Sequence, residues 1–177
     1  MPLTVRPTSH RGLEERFAVR FPAAAAAISR LVLLLPARSR LRQAALRHNI
    51  RQGIEAYNRG DYEALRPAYH RDVELLSEPE VVDLGFEPVY RGYEGWLRYA
   101  RRWNAEWGSY RARPEELIDL GDGRLLTVGH QEGRGSGSGV ATANDWATLW
   151  TFSAGRIIRE QYFFDRAEAF RAAGLDR

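Results

Sequence analysis

The chain has 177 residues, of which 44% are hydrophobic, enough for one domain with a sizeable core. It contains neither cysteine nor lysine, which excludes thiol nucleophiles, thiolate metal sites, disulfides and lysine Schiff bases. The net charge of +3 is unevenly spread, because residues 1–51 carry ten arginines and only two acids whereas residues 52–177 are acidic overall. Arginine without lysine is typical of a high-GC coding bias, so nucleic-acid binding is not predicted.

Residues 1–38 are predicted to form a basic, arginine-rich helical extension. Their apolar stretch, 23–35, is interrupted by Arg30 and is shorter than the roughly 20 residues that a membrane span needs. The residues around Pro36 make a poor signal cleavage site, so we expect a cytoplasmic protein without a membrane span. The same stretch predicts a helix that ends at Pro36. The extension is interpreted either as a solvated helix or as an arm that contacts an anionic surface or an acidic partner.

The rest of the chain, residues 39–177, predicts a single α+β domain. Ser39 is placed to cap its first helix and Asp165 its last, because Ser and Asp accept hydrogen bonds from the free N–H groups of a first helical turn. Asp122-Gly123 lies between two apolar stretches and predicts a tight hairpin. The predicted elements are a helix at 39–58, a short helix at 61–69, strands at 73–77 and 89–90, a helix at 93–107, strands at 117–120, 125–128, 142–152 and 156–164, and a final helix from 165.

The strand 142–152 is rich in tryptophan and is predicted to line a pocket. Alternation places every second side chain on one face, and the aromatic face is assigned to the interior. That face carries Trp146, Thr148, Trp150 and Phe152, which leaves Asp145 on the outside. Three helices against one side of a curved antiparallel sheet predict a cone that holds a hydrophobic small molecule.

Other candidate pocket residues come from neighbouring elements. Tyr57, Trp103 and Tyr162 are predicted to point a polar tip into the cavity while burying an aromatic ring. His130 is the only histidine on a predicted pocket strand, and it is interpreted either as an acid–base residue active near neutral pH or as a hydrogen-bonded structural histidine. No His and carboxylate grouping has metal-ligand spacing, and the glycine-rich run 133–139 lacks the lysine of a phosphate loop. We therefore expect no metal and no cofactor.

Four sequence motifs occur together in this chain. They are AYNRGDY at 56–62, YRGYEG at 90–95, the Gly/Ser run at 133–139, and the ending from 151 to 169. Together they resemble the SnoaL-like polyketide cyclase group of the nuclear transport factor 2-like superfamily, which also contains ketosteroid isomerase. The resemblance covers residues 42–175. It implies a nuclear transport factor 2-like, or cystatin-like, cone: an α+β fold whose curved antiparallel sheet wraps around helices, here preceded by the N-terminal helical extension.

The resemblance also implies an assembly. Members of this superfamily pair through the outer face of the sheet, so a homodimer is expected. In this chain the corresponding surface would carry Leu149 and Thr151, together with Tyr162 or Phe164.

For catalysis, the resemblance adds a second candidate. In ketosteroid isomerase an aspartate that precedes a proline is the general base, and Ser77-Glu78-Pro79 resembles that site, which makes Glu78 a candidate catalytic residue alongside His130. The spacing from the preceding helix is one residue longer here, so the alternatives are that Ser77 occupies the position of the base or that Glu78 is a solvated loop residue. The tyrosine and the acid of the family's oxyanion site would fall near Gly53 and Thr148, which lack those groups. Ketosteroid isomerisation itself is therefore not expected.

This superfamily uses one conical pocket for several chemistries and for non-catalytic modules. Two functions are therefore expected as alternatives. The first is a cofactor-independent isomerase, cyclase or hydrolase-type enzyme that uses acid–base proton transfer on a hydrophobic carbonyl compound. The second is a non-catalytic module for small-ligand binding or dimerisation.

Overall fold

The computed structural model describes residues 10–175, so residues 1–9 of the predicted extension lie outside the described residues. Within this part of the chain, helices come first and most strands come last, as the sequence predicts. The helices are α1 Leu13–Arg20, α2 Pro22–Leu34, α3 Arg40–Asn58, α4 Tyr62–Leu65, α5 Pro79–Asp83, α6 Gly92–Ala105 and α7 Arg166–Ala173, with a 3-10 turn at Arg66–Ala68. The strands are β1 Tyr69–Leu76, β2 Val89–Arg91, β3 Trp107–Asp119, β4 Arg124–Gly135, β5 Ala141–Ser153 and β6 Arg156–Phe163.

The six strands form one curved sheet in the order β2-β1-β6-β5-β4-β3. The predicted α+β class is confirmed. Four neighbouring strand pairs are antiparallel, but β1 runs parallel to β6. Parallel neighbours need a long crossover connection, and the whole segment from β2 to β5 supplies it.

Side chains that cap the helices lie where the sequence predicts them. The Ser39 hydroxyl accepts a hydrogen bond from the Arg42 N–H at the start of α3, and the Asp165 carboxylate accepts one from the Glu168 N–H at the start of α7. Several boundaries differ from the prediction. Strand β3 begins at Trp107 instead of 117, so Trp107 does not close α6, and β4 continues to Gly135 instead of ending at 128. The short helix α5 lies where no helix was predicted.

The inner face of the sheet is covered by α6. This helix buries an aromatic ladder that continues into the sheet, because Trp103 and Tyr162 both stack on Tyr99. The ladder and the buried strand residues form the main core. The main core therefore lies between α6 and the sheet.

The outer face of the sheet carries a second apolar layer under α7. Phe170 of α7 packs there with Leu126, Val128, Leu149 and Phe163. Leu149 is consequently 8% exposed, so α7 of the same chain covers part of the predicted dimer surface. The homodimer itself remains a prediction.

Helices α1 and α2 belong to the extension, and neither contains a buried residue. Helix α2 agrees with the predicted helix at 23–35, whereas α1 has no counterpart in the prediction. Helix α2 lies directly against the β5–β6 turn at Gly155, whose φ is +80°. A Cβ atom at this position would overlap the carbonyl oxygen of Ala26 and the N–H of Arg30. Only glycine combines this backbone conformation with so close an approach.

Arg42 joins α2 to the rest of the molecule from a buried position at the start of α3. Its guanidinium donates to both carboxylate oxygens of Asp119, at 2.6 and 2.7 Å. It also donates to the carbonyl oxygens of Leu33 and Leu35. A planar guanidinium satisfies both sets of acceptors at once, so one side chain fixes the end of α2 against the end of β3.

No single helix in residues 10–175 is long and apolar enough to cross a bilayer. Helices α1 and α2 meet the length and composition criteria only when they are taken together. Their axes are bent by 112° at the break between them.

Candidate functional site

A cavity of about 950 Å³ lies between the inner face of the sheet and helices α1 to α4. Its helical wall is formed mostly by small and aliphatic side chains, including those of the N-terminal extension. Its sheet wall is largely aromatic and carries the buried polar groups Thr148 and Glu160. The sheet residues that line it are Tyr69, Tyr110, Ala112, Leu125, Gln131, Trp146, Thr148, Trp150, Phe152, Ile157, Glu160 and Tyr162.

Glu160 on β6 is the one carboxylate that the described strands contribute to this wall. Its residue is 0% exposed. Oε2 accepts hydrogen bonds from the Tyr69 hydroxyl and from the Trp96 indole N–H, each at 2.9 Å. Oε1 is equally buried but accepts no hydrogen bond of standard geometry. Oε2 is thus held by Tyr69 and Trp96, whereas Oε1, which is equally inaccessible to water, has no partner of standard geometry among the described residues.

The strand register explains why Glu160 points inward. Glu160 lies opposite Trp150 on β5, and Tyr162 lies opposite Thr148. Directly paired residues share a face of the sheet, so all four side chains face the cavity. The register shifts near Phe152, which pairs with Ile157 and leaves one extra residue on β6. The bulge keeps Ile157 on the cavity wall as well.

Burial controls the protonation of this group. Loss of water raises the pKa of Glu160 to about 7, although the nearby Tyr162, Tyr69 and Trp96 donors favour the charged form and oppose the rise. Burial also raises the pKa values of Tyr57, Tyr69 and Tyr162 well above the usual value, so these phenols are neutral near pH 7. Glu160 is therefore the group on this part of the wall that can exchange a proton near neutral pH.

Two further polar atoms on the sheet wall are buried and unpaired. These are the Trp146 indole Nε1–H and the Thr148 hydroxyl. Buried polar groups are normally satisfied, so each exception calls for an explanation such as strain, an ordered water or a functional role. Thr148 stands diagonally across from Glu160 on the neighbouring strand, a separation of roughly 7–8 Å between Cα atoms.

Most of the predicted binding residues lie on the cavity wall. They are Tyr57, Trp146, Thr148, Trp150 and Tyr162. Trp103 does not: it is buried behind the wall, where it stacks on Tyr99 and Phe164. The prediction that Trp103 points into the cavity is therefore wrong, and the reason is that α6 turns this face towards the aromatic core.

His130 lies on the opposite face of the sheet from the cavity. Alternation on β4 groups it with Leu126 and Val128, as the sequence predicts, but that face packs against α7. Its Nδ1 lies 3.1 Å from Asp145 Oδ1, and both side chains are exposed to solvent. This placement corrects the expectation that His130 faces the pocket.

Glu78 also lies off the cavity wall. It precedes α5 and is 6% exposed. Burial first, and then the negative charges of Glu168, Glu80 and Asp165, raise its pKa to about 7. Its surroundings are thus an acidic cluster at the start of α7, which corrects its assignment to the pocket.

The sequence contained a signal for Glu160 that the prediction did not use. Tyr162 is correctly assigned to the pocket, and a residue two positions earlier on a strand shares its face. Arg159-Glu160-Gln161 nevertheless has the polar composition of a solvated strand edge. Burial of a carboxylate by Tyr69 and Trp96, which are 91 and 64 residues away, is a tertiary feature.

Metal binding has no support in residues 10–175, where no group of three or more His, Cys, Asp or Glu side chains could hold an ion. The lining also contains polar helix residues such as Glu14, His48 and Gln52, but the buried carboxyl group is that of Glu160 on the sheet wall.

Comparison with known proteins agrees with this architecture. A family profile described as "SnoaL-like domain" matches residues 50–160. Among curated proteins, none matches the chain. Because the profile spans more than half of the chain, it carries the family assignment.

Three solved structures illustrate the likeness in fold. An NTF2-like protein of unknown function from Burkholderia pseudomallei K96243 has a TM-score of 0.61 and 22% identity, over 71% of this chain and 94% of the other. TerC, co-crystallised with polyporic acid, has a TM-score of 0.58 and 23% identity, over 69% and 92%. A protein described as a SnoaL-like polyketide cyclase from Jannaschia sp. CCS1 has a TM-score of 0.57 and 16% identity, over 75% and 92%.

Proposed function

The chain belongs to the SnoaL-like domain family, and from that premise we propose that it is a cofactor-independent enzyme in which Glu160 moves protons on a hydrophobic carbonyl compound. The observation that carries this proposal is Glu160 Oε1, a buried and unpaired carboxyl oxygen on the wall of an aromatic cavity. A general acid–base group works best when its pKa lies near the working pH. The pKa of Glu160, about 7, meets that requirement.

The first chemical step follows from the position of this oxygen. As a carboxylate, Oε1 takes a proton from the carbon next to the substrate's carbonyl group. The electrons of the broken C–H bond move towards the carbonyl oxygen, which becomes an enolate. The Thr148 hydroxyl and the Trp146 N–H are unpaired donors on the same wall, and donors held in place in a dry site stabilise such developing charge.

The second step decides the reaction class. An isomerase returns the proton from Oε1 to a different carbon, whereas a cyclase lets the enolate carbon attack a second carbonyl and delivers the proton to the new alkoxide. In a hydrolase-type reaction the same carboxylate removes a proton from water while the water oxygen bonds to the substrate's carbonyl carbon, and the carboxyl group then returns the proton to the leaving group as its bond to that carbon breaks. All three reactions use one carboxyl group, and the substrate determines which one occurs.

The bound molecule in this proposal is a hydrophobic small molecule with oxygen substituents. The cavity offers the rings of Tyr57, Trp150 and Tyr162 for stacking and a few polar atoms for orientation. TerC, which was co-crystallised with polyporic acid, supports a small organic ligand in this fold. A homodimer and a cytoplasmic location belong to the proposal as predictions.

A Glu160→Gln variant tests the proposal, because glutamine keeps the shape and an acceptor for Tyr69 and Trp96 but cannot exchange a proton. With a carbonyl substrate found by screening, kcat/KM should fall by about 10²- to 10⁴-fold. Glu78→Gln and His130→Ala serve as controls, since both residues lie off the cavity wall, and their kcat/KM should stay close to that of the wild type. For wild-type protein acting as a base, kcat/KM should rise with pH and level off above about pH 7.

Two results would contradict the proposed catalytic function. Full turnover by Glu160→Gln would remove Glu160 from the mechanism. Tight ligand binding by both proteins, with turnover by neither, would indicate the non-catalytic binding module instead.

A further inference from the structure

The entrance of the cavity is rimmed by four apolar side chains from the first three helices. Each one lines the cavity and is also exposed to solvent. They are Leu13 and Phe17 of α1, Ile28 of α2 and Leu41 of α3, with exposed fractions of 83%, 43%, 53% and 67%. These four residues are called the apolar rim below.

The apolar rim continues onto the outer surface of the same helices. Phe21, Leu31 and Leu34 are 51%, 65% and 71% exposed. Of the nine large apolar residues that are exposed in residues 10–175, seven lie between Leu13 and Leu41. Single exposed apolar residues are common on protein surfaces, but a cluster of this kind marks a contact site.

Positive charge accompanies the rim. Arg20 shares the face of α1 that carries Phe17, three positions before it. Arg40 and Arg47 are seven positions apart, so they lie on one edge of α3 next to Leu41. All three arginines are exposed and form no ion pair within the described residues.

Few acidic groups lie near the rim. Glu15 pairs with Arg59, and the Glu14 carboxylate lies 2.5 Å from His48 Nε2. Helix α2 contains no acidic residue. The surface around the entrance therefore presents uncompensated cations beside apolar side chains.

We propose that this surface docks on an anionic lipid bilayer, with the apolar rim inserted between the acyl chains and Arg20, Arg40 and Arg47 among the lipid headgroups. Amphipathic helices with aromatic and aliphatic residues on one side and arginines beside them lie in the membrane interface in this way. The cavity then opens towards the hydrocarbon, so a hydrophobic ligand passes between the bilayer and the protein without crossing water. This inference does not depend on the chemistry of Glu160.

Charge favours a bilayer over a second copy of the chain as the occupant. Two copies that meet through this face would bring the unpaired arginines of each towards those of the other, and like charges oppose such contact. Anionic headgroups instead neutralise them.

The test uses the full-length protein and extruded vesicles, either of phosphatidylcholine alone or with phosphatidylglycerol added. Flotation should show binding to the anionic vesicles, at least tenfold weaker binding to the neutral ones, and loss of binding as salt is raised from 0.1 to 0.5 M, because screening shortens the range of the charges. The triple change of Arg20, Arg40 and Arg47 to Gln should weaken binding at least tenfold. So should Phe17→Ser combined with Leu41→Ser.

Matched control variants carry the same types of substitution at surface positions away from the apolar rim. Changing Arg71, Arg91 and Arg98 to Gln removes the same net charge from residues outside the first three helices. Leu84→Ser combined with Val140→Ser removes two exposed apolar residues elsewhere. Both controls should bind the anionic vesicles as the wild type does.

The proposal is overturned if the wild type does not float with anionic vesicles, or if the rim variants float as well as the controls. Sedimentation velocity adds a separate check. If Phe17→Ser with Leu41→Ser turns a wild-type dimer into a monomer, the rim is a surface for self-association and the bilayer is not its partner.

Discussion

The two ends of this molecule are stabilised by different means. The sheet and α6 bury an aromatic core in which side chains such as Trp96 and Leu75 have almost no exposed surface. Helices α1 and α2 have no fully buried residue; only Val32 and Leu33 of α2 pack partly against the main core. A buried guanidinium, a glycine contact and surface ion pairs hold them in addition. The comparison teaches that a short helical segment with little apolar burial can be positioned by a few specific contacts.

The strongest way to break this arrangement is Arg42→Gln. The substitution leaves the Asp119 carboxylate buried without its partner and frees two carbonyls near the end of α2. Breaking a buried pair by removing one member typically costs about 3–5 kcal/mol, so chemical denaturation should show a loss of that size. Arg11→Gln is the matched control, because its pair with Asp61 is partly exposed, and it should cost less than about 1 kcal/mol. Equal losses for the two variants would contradict a special role of Arg42.

The free energy of unfolding should depend on pH through Glu160, which lies in the sheet and not in α1 or α2. The pKa of Glu160 is about 7 in the folded chain against an ordinary value of 4.5. The folded protein therefore holds this proton more tightly, and the free energy of unfolding falls as pH rises from about 4.5 to about 7. A difference of this size corresponds to about 3 kcal/mol. The groups that face Glu160, namely Tyr69, Trp96 and Tyr162, stay neutral over this range.

The free energies of unfolding from denaturant titrations at pH 5 and pH 8 measure that dependence. In the Glu160→Gln variant the difference between these two free energies should be smaller by about 3 kcal/mol. Glu78→Gln separates the contribution of the second carboxyl group with a raised pKa. If the wild type and Glu160→Gln showed the same change with pH, the carboxyl group of Glu160 would not be buried as described.

A smaller effect is expected at the contact between α2 and the sheet. Gly155→Ala adds both a strained positive φ and an overlap with the α2 backbone. Gly123→Ala adds the same type of strain, but its nearest neighbour, the carbonyl oxygen of Phe152, is 3.6 Å from the added atom. The strain common to both is on the order of 1–2 kcal/mol. Gly155→Ala should lose more than Gly123→Ala and should become sensitive to proteolysis between α1 and α2.

The sequence predicted those features that depend on local patterns. Ser39 and Asp165 mark helix starts through backbone hydrogen bonds within one turn, and alternation along β5 identified its cavity face through Trp146 and Trp150. Features that depend on distant partners were not predicted. Alternation grouped His130 with Val128, but only the cross-strand register and the position of α7 decide that this face points away from the cavity. The same holds for Glu160, because its burial requires Tyr69 and Trp96 to converge from elsewhere in the chain.

The two oxygens of the Glu160 carboxyl group are not interchangeable. Oε2 already receives two hydrogens, from Tyr69 and Trp96, so in the neutral acid the proton resides on Oε1. The side chain thus alternates between a lone pair and an O–H aimed along the same direction, and no rotamer change is needed between the two states. In the proposed reaction, this arrangement lets the carboxyl group remove a proton from one atom of the bound molecule and return it to a neighbouring atom before the product leaves.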